Sequence, residues 1–109
     1  MPTQPSASQQ LLGNLAPKMV QLTDDLLFGD VWQREGLSRR DRSLVTVAVL
    51  AATSRPAQLD GHLKLALQHG LTQDELVEAL THIAFYAGWP SGMAGLTQFK
   101  AIVEAGGTE

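Results

Sequence analysis

Residues 72–88, TQDELVEALTHIAFYAG, decide the fold. Thr72 and Glu75 form a T-x-x-E capping box, in which the hydroxyl takes an early backbone N–H and the glutamate reaches back to the N–H of the cap. Behind it Leu76, Leu80, Ile83, Ala84 and Ala87 recur at spacings of three and four, which lines side chains along one helix face. Gly88 ends the run. Upstream, Gly70 suits the position after a helix C-cap. Leu59, Leu63, Ala66 and Leu67 predict a helix over about 57–69, and Arg55-Pro56 separates it from the one before. That earlier helix starts behind Ser38, with Asp41 as a weaker box, and is expected to run to about Ser54. Pro17 suits a first helical turn. The helix it opens carries Met19, Leu22 and Leu26 and stops near Gly29; Asp30 to Leu37 reads as a connector holding Trp32, and a short segment occupies about 9–15. Downstream, Pro90 opens a last helix that Gly106-Gly107 stops. Leu44-Val45-Thr46-Val47 is strand-like locally but lies in a helical frame. The expectation is an all-α bundle of about six helices, with a flexible arm over 1–8 and a single domain over 9–109.

Composition narrows the function. The chain has 109 residues, 44% hydrophobic and 17% charged, enough for one core. It has no cysteine, which removes disulfides, thiolate zinc sites, iron–sulfur clusters and thiol chemistry. A net charge of -3 has the wrong sign for a general nucleic-acid binder. The longest apolar stretch, Leu44 to Ala52, falls far short of the ~20 residues of a membrane span. Residues 1–10 show neither a basic nor an apolar leader segment, so a cytoplasmic address is expected by default.

Polar residues lie beside the apolar stripes. Glu75, Glu78, His82 and Tyr86 follow one another along one helix, and Gln58, His62, Leu65 and His69 share a face of the preceding one. Two adjacent antiparallel helices joined by a short turn would bring His62 toward His82. Imidazole is the side chain best suited to proton transfer near neutral pH; a hydrogen-bonded boundary histidine is the ordinary alternative. His62 and His69 are about 10 Å apart along a helix, too far for one metal shell. Nothing in the spacing of His62, His82 and Glu78 calls for a metal, and none is expected.

Five of the eight basic residues, Arg34, Arg39, Arg40, Arg42 and Arg55, fall between 34 and 55. Arginine binds carboxylates through a planar fork, so the excess suggests an anionic small molecule. Arg39 and Arg40 read equally well as solvated or paired with Asp41. Arg42 precedes an apolar run and needs a carboxylate, for which Glu78 is the nearest by topology. Trp89-Pro90 sets an indole at a helix junction, where it either packs or walls a pocket.

Gly29-Asp30-Val31-Trp32-Gln33-Arg34, then GLSRRDRSLVTVAVLAA, GHLKLALQHGLTQDELVEAL and THIAFYAGWPSGMAG, resembles the carboxymuconolactone decarboxylase family over about 17–100. The resemblance implies an all-helical subunit of the alkylhydroperoxidase D-like fold, assembled as a homotrimer or homohexamer with sites near subunit interfaces. The namesake reaction converts γ-carboxymuconolactone to β-ketoadipate enol-lactone in bacterial aromatic-acid degradation, without metal or organic cofactor. It implies a small anionic substrate, an unsaturated lactone or keto acid such as 4-carboxymuconolactone. His62 and His82 are then the proton-transfer candidates, Arg34 and Arg42 the carboxylate or oxyanion clamps, and Tyr86 and Trp89 the pocket walls. Glu78 would orient or charge-balance them. The thiol-peroxidase branch of the superfamily carries C-x-x-C-x-x-x-H; with its histidine on His62, the cysteine positions fall on Arg55 and Gln58, which cannot exchange disulfides. Ser43 stands where that branch has a glutamate proton relay. The alternatives are a non-catalytic small-molecule-binding or accessory oligomer of the same fold, and a nucleic-acid or partner-binding bundle with its arginines in one exposed patch.

Overall fold

The computed structural model describes residues 4–106, and these form helices with no strand among them. They fall into two compact units, one up to Leu37 and one from Ser38 onward. The segment between Gly29 and Ser38 holds only a 3-10 turn, too short to carry an apolar stripe from one unit into the next.

In the first unit, α1 spans Ala7–Leu12 and α2 spans Pro17–Gln21; α2 continues as a π-helix over Leu22–Phe28, and a 3-10 turn covers Val31–Gln33. Ser6 caps α1 by accepting the Gln9 N–H at 3.1 Å. Its hydroxyl and that of Ser8 donate to Asp24 at 2.8 and 2.7 Å. The flexible arm expected over 1–8 therefore does not extend to Ser6–Ser8, because a cap and a shared carboxylate hold those residues; residues 1–3 lie outside the described residues. Trp32 is buried and its ring lies 5.7 Å from that of Phe28.

In the second unit, α3 spans Arg39–Ala52, α4 Pro56–Gln68, α5 Gln73–Tyr86 and α6 Trp89–Glu104. The starts match the caps read from sequence. The Asp41 N–H donates to Ser38 Oγ at 3.0 Å, and at α5 the box closes in both directions, Glu75 N–H to Thr72 Oγ1 at 3.0 Å and Thr72 N–H to Glu75 Oε1 at 2.9 Å. One core joins Val47 and Ala51 of α3, Leu59, Leu63 and Ala66 of α4, Leu76, Leu80 and Ile83 of α5, and Phe99 and Ile102 of α6. Each fully buried leucine here contributes about 1.5–3 kcal/mol relative to exposure. Ala87, expected on the α5 stripe, is exposed beyond the helix end. The expected second glycine of the C-terminal stop, Gly107, lies outside the described residues.

The pairing of the helices departs from the hairpin expected of α4 and α5. Each packs against α3 and α6, which also touch one another, and α4 and α5 are not among the extensively packed helix pairs. Both helices present their apolar stripes to the same central cluster, and α3 and α6 fill the positions beside them. Gly92 makes the α5–α6 contact close: a Cβ there would collide with the Ala84 Cβ and stand 2.9 Å from its Cα. Gly88 caps α6 at φ 120°, a conformation that favours glycine. The Gln98 amide donates to the Pro56 carbonyl at 2.6 Å and ties α6 to the start of α4. Among the described residues, no helix is long and apolar enough to cross a membrane.

Candidate active site

His62 sits in the middle of α4, between the core residues Leu59 and Leu63 and the exposed surface. It is half-buried and its Nδ1 is shielded from solvent. Burial, and secondarily the charge of His69, lower its proton affinity below the ordinary value of 6.5. At neutral pH the ring is therefore uncharged, with the lone pair that a base requires. His69 lies two turns further along, at the C-cap of α4. Its Nδ1 is 2.8 Å from the Ser43 hydroxyl of α3, a side chain with no exposed surface.

Arg42 occupies the first turns of α3 and is half-buried, as its position before an apolar run suggests. Its neighbour Arg40 ties α3 to α5. Its guanidinium contacts Asp41 at 3.0 Å and also pairs with Glu75. Glu75 thus has two tasks, in the capping box and in the ion pair. The Thr72 N–H, ahead of Arg40, holds its carboxyl below the usual range.

The α5 candidates lie on one exposed face. His82 and Tyr86 stack with centroids 4.7 Å apart and planes at 28°. Glu78 stands one turn before His82 and is also exposed. Phe85 meets Trp89 edge-on at 5.5 Å, across the junction that Gly88 makes. Tyr86 and Trp89 retain 82% and 60% of their exposure, so neither is packed into the core of the chain. They present aromatic surface outward, as a wall needs to do. Arg34 belongs to the first unit, where it follows the 3-10 turn and is exposed.

The candidates therefore gather as two groups in the second unit. His62 lies with His69 and Ser43 on the α3–α4 side, and His82 lies with Tyr86 on α5. α4 and α5 each pack chiefly on α3 and α6 rather than on one another. The Ser43–His69 bond was not anticipated, although a signal for it exists. Ser43 continues the stripe of Val47 and Ala51 at four-residue spacing, and a serine on a buried stripe needs a hydrogen-bond partner. Among the described residues, no group of three or more histidine, aspartate and glutamate side chains is arranged to hold a metal ion.

Comparison with known proteins agrees with this architecture. The family model of the carboxymuconolactone decarboxylase family matches residues 17–101. The chain is 46% identical over 75 residues to the 4-carboxymuconolactone decarboxylase of Acinetobacter baylyi, covering 69% of this chain and 56% of that protein. It is 38% identical over 71 residues to a nitrosuccinic acid decarboxylase of Metarhizium robertsii, covering 65% and 50%. The chain spans about half the length of these curated relatives. With a family match that takes in the polar faces of α4 and α5 as well as the core stripes beneath them, the chain belongs to the carboxymuconolactone decarboxylase family and has its all-α, alkylhydroperoxidase D-like fold.

Proposed function

We propose that this chain is a carboxy-lyase subunit that removes CO₂ from a small unsaturated lactone or keto acid, 4-carboxymuconolactone being the first substrate to test. The observation that carries this reading is His62, a half-buried histidine held neutral by burial on a face shared with a second histidine. The printed names of the two relatives, both decarboxylases, support the reaction class.

Decarboxylation breaks the bond to the carboxylate carbon and leaves an electron pair delocalised into the conjugated acceptor. A proton must then reach carbon. A neutral His62 takes a proton from the substrate framework or from water and returns it; His82 is the second proton carrier. Arg42 holds the departing carboxylate or the developing oxyanion, where a planar fork outside bulk water is most effective. Tyr86 and Trp89 supply an apolar wall that strips water from the carboxylate, and Glu78 balances charge beside His82. Arg34, in the first unit, is a candidate clamp tested by itself: Arg34→Ala raises KM if it binds the carboxylate.

Assembly as a homotrimer or homohexamer belongs to the same proposal. Val45 and Val49 of α3 and Phe85, Trp89 and Met93 around the α5–α6 junction are all more than half exposed, a load of apolar surface that a second copy would cover. Sedimentation of the purified protein tests this.

The direct experiment is incubation with 4-carboxymuconolactone, following CO₂ release. His62→Ala and His82→Ala should each lower turnover at least about 100-fold if each moves a proton. Wild-type turnover in both variants removes these assignments. The competing reading, a non-catalytic binding protein, is favoured by the exposure of Tyr86 and His82 in one copy; saturable binding of the acid without CO₂ release would establish it.

A further inference from the structure

We infer that Arg55 holds a carboxylate that the substrate keeps, so that the acids this chain acts on are substituted succinates, losing one carboxylate while the other stays bound at the start of α4. The inference rests on the decarboxylase reading and names the class of acid.

Arg55 is the N-cap residue of α4, exposed, ahead of a first turn that contains no acidic side chain. Among the described residues its guanidinium has no hydrogen bond or ion pair, whereas Arg40 pairs with Asp41 and Glu75, Lys64 with Asp60 and Lys100 with Glu104. Those pairs engage the acidic side chains of α3, α4 and α6, so α4 and the helices packed on it leave Arg55 no carboxylate of their own. Gln58, three residues on, is exposed and likewise without a side-chain partner among the described residues, and His62 follows one turn later. Positions 55, 58 and 62 lie along one face, with Arg55 about 10 Å from His62 along the axis. An extended arginine side chain and a small dicarboxylic acid bridge that interval. His69, two turns beyond His62, meets Ser43, the neighbour of Arg42. The α4 face thus runs from one guanidinium, past His62, to the α3 turn that carries a second.

The chemistry of decarboxylation says which carboxylate Arg55 should hold. A cation on the departing group stabilises a charge that the transition state gives up. On a retained carboxylate it binds both states alike and fixes the acid in place, which leaves Arg42 to the developing oxyanion. The acids in the names of the two relatives both have such a group. In nitrosuccinic acid and in 4-carboxymuconolactone, one carbon bears a carboxylate, a CH₂–COO⁻ arm and an electron acceptor. The acceptor is the nitro group in the first and, through the ring double bond, the lactone carbonyl in the second. The bond to the carboxylate carbon breaks, CO₂ leaves, and the electron pair enters the acceptor until a proton returns to carbon. The arm takes part in none of these changes. The acceptor differs between the two acids and the succinate skeleton does not, so the skeleton is the part that a planar guanidinium fork can recognise in either.

The test compares acids with and without the arm on the full chain. The pairs are 4-carboxymuconolactone against the lactone acid in which methyl replaces the arm, and nitrosuccinate against α-nitropropanoate, with CO₂ release read above the uncatalysed rate. The armed acids should be preferred, and Arg55→Gln should raise their KM roughly 10–100-fold while the arm-less acids lose far less. Arg55→Lys, which keeps the charge and loses the fork, should fall between. Arg55 is exposed and holds no other side chain, so both variants should fold. An equal loss on both members of each pair overturns the proposal, as does equal wild-type turnover with and without the arm; both results leave the decarboxylase reading standing. If no acid is turned over, that reading fails and binding decides. NMR titration with succinate should then give saturable shifts that Arg55→Gln weakens and that propanoate does not reproduce. Succinate binding unaltered by Arg55→Gln, or no binding, overturns the carboxylate site as well.

Discussion

The Ser43 hydroxyl of α3 and the Nδ1 of His69 at the end of α4 lie 2.8 Å apart, joining residues separated by 26 positions in the chain. The bond fastens the polar face of α4 to the middle of the core. Removing the hydroxyl leaves an imidazole nitrogen without that partner. Ser43→Ala should therefore cost about 1 kcal/mol, read as a lower urea midpoint at unchanged m-value.

His62 contributes a pH dependence whose sign follows from its lowered proton affinity. The unfolded chain binds a proton near 6.5 and the folded chain only at lower pH. Between those two values the unfolded state holds more protons, so stability rises with pH there. The contribution is complete above 6.5 and is lost as pH falls through the folded value. Thermal melts between pH 5 and 7 should thus show a falling Tm on the acid side, with a shallower slope in His62→Gln. Equal slopes in the two proteins would contradict the assignment.

Two helical glycines should respond in opposite directions. Gly92→Val drives a side chain into the Ala84 backbone, so α6 has to move away from α5 at a cost of about 1–3 kcal/mol or more. Gly61, exposed within α4, has nothing within 4 Å of where a Cβ would stand. Gly61→Ala should stabilise by up to about 1 kcal/mol through helix propensity. Denaturant titration of the pair checks both signs.

The α5 start separates capping from charge. Thr72→Ala removes the hydroxyl that accepts the Glu75 N–H and should cost about 1 kcal/mol. Glu75→Gln keeps an acceptor for the Thr72 N–H but loses the ion pair with Arg40. Its smaller effect should fade in high salt, whereas that of Thr72→Ala should persist. Urea denaturation at low and high salt distinguishes them.

Much of the second unit was legible from local rules. Ser38 and Thr72 mark helix starts through hydroxyls that accept N–H groups three residues on, and Leu59, Leu63, Leu76 and Leu80 mark buried faces by spacing. The sequence was less informative where short range competes with long range. Ser6 and Ser8 look like tail residues until Asp24, sixteen positions beyond Ser8, accepts from both hydroxyls. Arg40 looks solvated or paired with its neighbour Asp41, yet it also pairs with Glu75 of α5, 35 positions further along the chain.

By itself, then, the sequence determined the all-α class, the helix starts, the buried stripes and the absence of thiol chemistry, since each depends on residue identity and spacing along one element. Only the tertiary structure decided which helices meet. The stripes of α4 and α5 say that both helices enter the core, but not which neighbours lie between them. The close approach at Gly92 joins α6 to α5, and both α4 and α5 pack chiefly on α3 and α6. His69 of α4 thereby meets Ser43 of α3, a partner that no stripe on either helix names. Helical periodicity assigns a side chain to a face; what that face touches depends on packing between distant segments.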